Sequence, residues 1–174
     1  IEDPKSLAVL TESQQRVKAM AMAHEKLYHS DSLARINFAD YVQSLTRDLL
    51  QSYVLNAAMI SLSIQVAELE LPVDTAIPCG LIINELFSNA IKYAFPEPSA
   101  DAAQPHVIEV RFLIAENDYM LTVADNGIGI PETVDLQTAK SLGLRLVNAL
   151  TRQIRGTLEL DRSIGTRFTI RFAR

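Results

Sequence analysis

A single cysteine, Cys79, is present in the sequence. No internal disulfide can form, which suits a reducing cytoplasm. Set beside Gly80, Cys79 is expected to be a small buried residue rather than a reactive thiol. No apolar run approaches the ~18 residues that a membrane-spanning helix needs. No secretory leader is visible either. The opening Ile1-Glu2-Asp3-Pro4 is polar, acidic and without an initiating methionine, as expected of a piece of a longer protein. Basic residues are not in excess: 16 Lys and Arg against 21 Asp and Glu give a net charge of −5. A nucleic-acid footprint is therefore not expected. Internal repeats and low-complexity tracts are also lacking. What remains is an ordinary globular composition, 48% apolar and 21% charged, in 174 residues. That length suffices for one good core and an appendage.

The first segment, from Pro4 to about His29, has no further Pro or Gly and is rich in helix formers. Leu7, Leu10, Val17, Met20 and Leu27 recur at near-heptad spacing, interrupted by Gln14. Such a narrow seam implies a partner helix from another chain or an upstream segment. Ser30-Asp31-Ser32 is a polar break. A second helix begins near Phe38, with Phe38, Tyr41, Val42, Leu45, Leu49 and Tyr53 on one stripe. Ile60 to Val66 alternates as a half-buried strand. Leu71-Pro72 ends that unit, and Asp74 can cap a helix running to about Ala94, before Pro96. Glu97 to Pro105 reads as a loop. Val107–Ala115 and Tyr119–Ala124 form a hairpin turned by Glu116-Asn117-Asp118. A helix over Leu142 to about Arg155 faces inward with Leu144, Val147, Leu150, Thr151 and Ile154, and Gly156 stops it. Thr157–Asp161 and Thr166–Phe172 close the chain as strands joined through Ile164-Gly165. This order predicts an α+β two-layer sandwich: a mixed, mostly antiparallel sheet covered by helices and preceded by a long N-terminal helix.

Two polar constellations interrupt this apolar plan. Glu85, Asn89 and Lys92, spaced by four and three, share one helix face, while Leu81, Ile82, Leu86 and Ile91 supply its core face. A carboxylate, an amide and an ammonium in a row suit a magnesium–phosphate ligand. They equally suit a solvated face with a weak Glu–Lys pair. The second constellation is Asp125-Asn126-Gly127-Ile128-Gly129-Ile130-Pro131. An Asp at a strand end can accept from an exocyclic amine such as adenine N6, and Gly127 and Gly129 allow close approach and positive φ. The competing reading is an Asp-Asn-Gly hairpin turn, against which Ile-Gly-Ile-Pro is a poor start for a paired strand. Ser141-Leu142-Gly143-Leu144 then opens a helix whose N-terminus can take an anion, or is simply capped by Ser141. It is not the dinucleotide fingerprint, since no Gly-x-Gly-x-x-Gly follows a strand.

In this order, and with Gly165-Thr166-Arg167-Phe168 at the end, these segments resemble the N, G1 and G2 boxes of the GHKL superfamily of ATPases and kinases, with its Bergerat fold. Arg16 to Met20 and Ala23 to Tyr28 resemble the second dimerisation helix of bacterial sensor histidine kinases related to the HWE subgroup. The resemblance implies a partial dimerisation helix over 1–31 and an ATP-binding catalytic domain over 32–174. It implies ATP and Mg²⁺ as ligands. Asp125 would bind adenine, shaped by Gly127 and Gly129, with Thr166 nearby. Asn89 and Glu85 would serve the metal, Glu85 also acting at the phosphate end, and Lys92 would contact phosphate. Gly143 and Leu144 would meet phosphates from a mobile lid over roughly Pro131 to Leu142. The implied partners are a second kinase protomer, through the N-terminal helix, and a response-regulator receiver domain. Other members of the superfamily, DNA-topology or mismatch-repair ATPases and chaperones, are expected to carry a following transducer domain. A non-catalytic nucleotide-binding or dimerisation module is the further alternative.

The phosphoacceptor is not expected in this chain. His24 precedes Glu25, but it lies on or near the apolar seam, as a packed or interface residue. In the subgroup resembled, the acceptor stands on the preceding helix in a His-Arg-Val-Lys-Asn-like sequence. Gln15-Arg16-Val17-Lys18 echoes that pattern with Gln in place of His. His29 and His106 read as surface residues.

Overall fold

The computed structural model describes residues 4–28, 34–53, 60–96, 105–134, 136 and 141–174. The elements run α1 (Pro4–Tyr28), β1 (Arg35–Asn37), α2 (Phe38–Ser52), β2 (Ile60–Val66), β3 (Glu70–Pro72), α3 (Val73–Asn89), β4 (His106–Ala115), β5 (Asp118–Asp125), α4 (Leu142–Gln153), β6 (Thr157–Asp161) and β7 (Thr166–Ala173). One π-helical turn, Ala90–Ala94, prolongs α3. The expected break at Ser30–Ser32, most of the loop after Pro96, and His29 lie outside the described residues.

Five strands form the main sheet in the order β2-β4-β5-β7-β6. Among the described residues only the β2–β4 pair is parallel, so the sheet is mixed and mostly antiparallel, as predicted. Register puts apolar side chains in rows across it: Val110 opposite Val123, and Val123 opposite Phe168. This row and its neighbours, with Ile108, Phe112, Leu121 and Ile170, are buried under the helices. Phe112 binds the layers together, with its ring 4.6 Å from Phe38 of α2, 5.3 Å from Tyr119 and 6.2 Å from Phe172. Truncating such a residue costs roughly 3–5 kcal/mol. The opposite face carries polar pairs such as Arg167–Glu109 at 3.1 Å.

Several local expectations are corrected. β1 and β3 form a separate two-stranded antiparallel sheet, which strands of three residues are too short to announce by period. Asn37, in extended conformation, caps α2 by accepting from the Asp40 amide at 3.1 Å. Asp74 does not cap α3: Pro72 holds that position without a side-chain bond, and Asp74 sits in the first turn, where a carboxylate still complements the helix dipole. In the β4–β5 hairpin the positive φ falls on Glu116 (58°), and Asp118 already pairs with Ala115. At the end of α4 it falls on Arg155 (54°). The Gly156 amide then reaches back to the Thr151 carbonyl at 2.8 Å, so the helix stops one residue earlier than the glycine suggests.

The long helix α1 packs on α3 and α2. Its fully buried residues are small, Ala19 and Ala23, and Met22 and Leu27 pack half-buried beside them. The Tyr41 hydroxyl of α2 donates to the Ala19 carbonyl at 3.0 Å. Of the near-heptad seam, Leu7, Leu10, Val17 and Met20 face outward, Val17 being 61% exposed, whereas Leu27 is half-buried against the core. His24 is exposed rather than packed. His106 is half-buried, stacked on Phe95 at 4.3 Å, and not a free surface residue.

Candidate functional site

One cavity of about 790 Å³ opens between α3, the β5 end and the start of α4. Glu85, Asn89, Lys92, Asp125, Gly129, Gly143, Leu144 and Thr166 all line it. Gly127 does not. A side-chain carbon there would come within 2.2 Å of the Ala94 carbonyl oxygen. That carbonyl accepts from the Ile128 amide at 2.9 Å. The glycine thus allows the loop to seat on the π-helical turn, so its place is behind the wall rather than on it.

At one end stands Asp125. Its Oδ1 accepts from the Gly127 amide at 2.9 Å and the Thr166 amide at 3.3 Å. Burial raises its pKa above the ordinary carboxylate range, and the bonds from Gly127 and Thr166 work in the opposite direction. Asn126 explains why an amide follows: its Oδ1 accepts from the Val107 amide at 2.7 Å and its Nδ2 donates to the Pro105 carbonyl at 2.9 Å. It fastens the start of β4 and does not line the cavity, whereas Asp125 and Thr166 do. Gly165, at φ 59°, lies so close that a side-chain carbon would meet the Asp125 carbonyl oxygen at 2.1 Å. Ile128, Ile130 and Phe168 give this end apolar surface. A carboxylate beside apolar surface can accept from a donor on an otherwise apolar ligand.

At the other end α3 presents Glu85 and the π-helical turn Lys92, and both are engaged by α1. Arg16 donates to the two Glu85 oxygens from Nε and a terminal nitrogen, each at 2.8 Å. The Asn84 amide adds a bond at 3.0 Å. The bond to Glu85 raises the Arg16 pKa against the opposing effect of burial. Lys92 Nζ reaches Glu12 at 2.7 Å and lies 5.7 Å from the Tyr53 ring centre. Burial lowers the Lys92 pKa, but Glu12 chiefly outweighs it and the net shift is upward. Asn84 Oδ1 and Ser88 Oγ are buried without a hydrogen-bond partner, and both residues line the cavity. Buried polar atoms of this kind call for a polar occupant.

The N-terminus of α4 closes this end. Ser141 caps it by accepting from the Leu144 amide at 3.4 Å. Gly143 is packed so tightly that a side-chain carbon would stand 2.7 Å from Glu85 Oε2. Helix-dipole charge therefore faces the same space as Glu85 and Asn89. Of the segment expected to form a lid, residues 135 and 137–140 lie outside the described set. Its described part is tied down: Asn148 donates to the Leu136 carbonyl at 2.5 Å, and Arg162 to the Val134 carbonyl at 2.7 Å.

A family model described as "Histidine kinase-, DNA gyrase B-, and HSP90-like ATPase" matches residues 75–174, more than half of the chain. The chain belongs to this ATPase family. A second model, described as "Histidine kinase", matches residues 1–53. Among curated relatives, a blue-light-activated histidine kinase 2 of Erythrobacter litoralis is 30% identical over 104 residues, 59% of this chain and 29% of that protein. The sensor histidine kinase PdtaS of Mycobacterium tuberculosis is 27% identical over 162 residues, 91% of this chain and 29% of that protein. The chain thus spans less than a third of the length of these relatives. Among solved structures, the histidine kinase domain of an E. litoralis blue-light-activated histidine kinase superposes with a TM-score of 0.80 at 25% identity, covering 93% of this chain and 74% of that one. The Acinetobacter baumannii histidine kinase AdeS shares the fold at a TM-score of 0.64 and 17% identity, over 97% of this chain and 80% of that one.

The site holds residues that the sequence did not single out. Arg16 and Glu12 come from the helix read only as a dimerisation element, and Asn84 and Ser88 flank the expected face of α3. A charge repeating i, i+4 on α1 was the available signal. It marks a polar face, but not what that face meets.

Proposed function

We propose that this chain is the ATP-binding catalytic part of a two-component sensor histidine kinase, holding Mg-ATP for phosphoryl transfer to a histidine outside the chain. One observation carries the reading. A single cavity has a half-buried, doubly hydrogen-bonded carboxylate beside apolar residues at one end, and Glu85, Asn89, Lys92 and a capped helix N-terminus at the other. Asp125 takes the adenine amine. Lys92 and the α4 N-terminus take phosphate oxygens. Asn89 and Glu85 serve Mg²⁺, an ion suited to one or two protein oxygens completed by phosphates and water. Bound there, Mg²⁺ neutralises charge on the phosphates, the main requirement of phosphoryl transfer besides positioning. Gly143 gives Glu85 the room to stand at this end.

The match of residues 1–53 to a histidine-kinase model favours this reading over another ATPase of the same family. Under it, residues 1–31 belong to a dimerisation unit and 32–174 to the catalytic domain. The outward seam of α1 meets a second protomer, and a response-regulator receiver domain takes the phosphoryl group on the cytoplasmic side. Among the described residues no helix is long and apolar enough to cross a membrane.

Titration calorimetry with ATP tests the pocket. The wild type should bind with a clear gain from Mg²⁺, and Asp125→Ala should lose binding. Unchanged binding by Asp125→Ala would defeat the assignment. Mass spectrometry after incubation with ATP should find no phosphate on His24; phosphate there would place the acceptor in this chain.

A further inference from the structure

Both charges assigned to the phosphate end, Glu85 of α3 and Lys92 of the π-helical turn, are neutralised by one neighbouring helix. Arg16 covers both oxygens of Glu85 at 2.8 Å, and Glu12 holds Lys92 at 2.7 Å. The two α1 residues are joined to each other at 3.7 Å, so four alternating charges form one chain along the cavity rim. Glu12 also lines the cavity itself. A carboxylate thus stands where added phosphate charge would accumulate, on the lysine that would receive it.

Resting on the nucleotide reading above, we infer that Glu12 and Arg16 are specificity-determining residues that set which phosphate state of the nucleotide the site accepts. With α1 docked, the adenine end is open, but Lys92 and Glu85 are occupied and Glu12 repels phosphate. The docked form therefore favours a nucleoside diphosphate over the magnesium triphosphate. When the Glu12–Lys92 and Arg16–Glu85 pairs separate, one positive and one negative group become free for phosphate and for the metal, and the preference reverses. Because each ligand can shift the balance only through its differential affinity for the two arrangements, the effect is reciprocal: the triphosphate loosens α1.

The test is the ratio of Mg-ATP to Mg-ADP affinity, by titration calorimetry on the whole chain. Glu12→Gln preserves shape and removes the competing charge, and should raise the ATP-over-ADP ratio by about tenfold, within the usual range of such coupling. Arg16→Gln should move it the same way. Hydrogen exchange supplies a readout on the wild type: Mg-ATP should speed exchange of α1 amides more than Mg-ADP does. A ratio within about twofold of wild type in both variants, or α1 protected by ATP, would overturn this inference while leaving the pocket assignment standing. Failure of the wild type to bind either nucleotide would remove the pocket assignment and this inference together.

Discussion

Asp125 is half-buried, and the Gly127 and Thr166 amides both donate to one of its oxygens. Burial nonetheless wins, and its pKa stands above the ordinary value. A carboxyl with a folded-state pKa above its unfolded one holds its proton more tightly in the fold. Its contribution to stability is therefore best below the unfolded pKa, declines as the pH rises towards the folded pKa, and stays unfavourable above it. Asp125→Asn retains an oxygen for the Gly127 and Thr166 amides and abolishes the buried charge. It should melt no lower than wild type at neutral pH, with the difference shrinking as the pH is taken below the carboxylate range, while ATP binding is lost. Thermal melts across that pH range, paired with calorimetric titration, measure both effects. Asp125 and Glu85 were legible because a lone carboxylate beside glycines, or inside an apolar helical period, breaks the pattern around it. Arg16 was not, since its partner lies 69 positions away and nothing in a charged helix face names a distant carboxylate.

At the scale of elements, periodicity carried the reading. α2 and α4 bury the stripes their spacing marks except for Tyr53 and Ile154, half-buried residues just past the helix ends, and β2 alternates as its sequence does. The two three-residue strands and the π-helical turn escaped because neither has a period to display. Their causes are contacts across the chain: Ile36 opposite Leu71 in the small sheet, and the Ile128 amide on Ala94 at the turn. The junction of α1, α2 and α3 is of the same kind. Gly80 sits in mid-helix, where alanine would ordinarily add up to about 1 kcal/mol of stability. Here a side-chain carbon would stand 2.1 Å from the Tyr41 hydroxyl oxygen, the group that ties α2 to the Ala19 carbonyl. Overpacking of this kind costs roughly 1–3 kcal/mol. Gly80→Ala should therefore lower the denaturation midpoint despite better helix propensity. Urea melts followed by circular dichroism would show it.

For the whole molecule, the sheet and its helical cover follow from element order, but the attachment of α1 does not. An isolated amphipathic helix is expected to bury its large apolar residues and expose its charges. α1 reverses this over about its first five turns: Ala19 and the Glu12 and Arg16 pairs face the domain, and Leu7, Leu10 and Val17 face out, while Met22 and Leu27 near its end pack on the core in the ordinary way. The inversion is economical only if the outer face meets something apolar, since such a row of exposed side chains is a recognition surface rather than a resting one. Its near-heptad spacing suits another helix packed along it. Within the proposed function that helix belongs to a second protomer. The chain should therefore associate reversibly in sedimentation equilibrium at low salt and at high salt alike, because an apolar seam, unlike surface ion pairs, is not weakened by screening. Leu10→Glu with Val17→Glu should raise the dissociation constant at least about tenfold, since each buried apolar side chain contributes on the order of 1.5 kcal/mol or more. The same double variant should bind ATP as the wild type does, because both positions lie on the face of α1 away from the cavity. Association that disappears as salt is raised would instead assign the contact to charge, and the outward seam would lose its role.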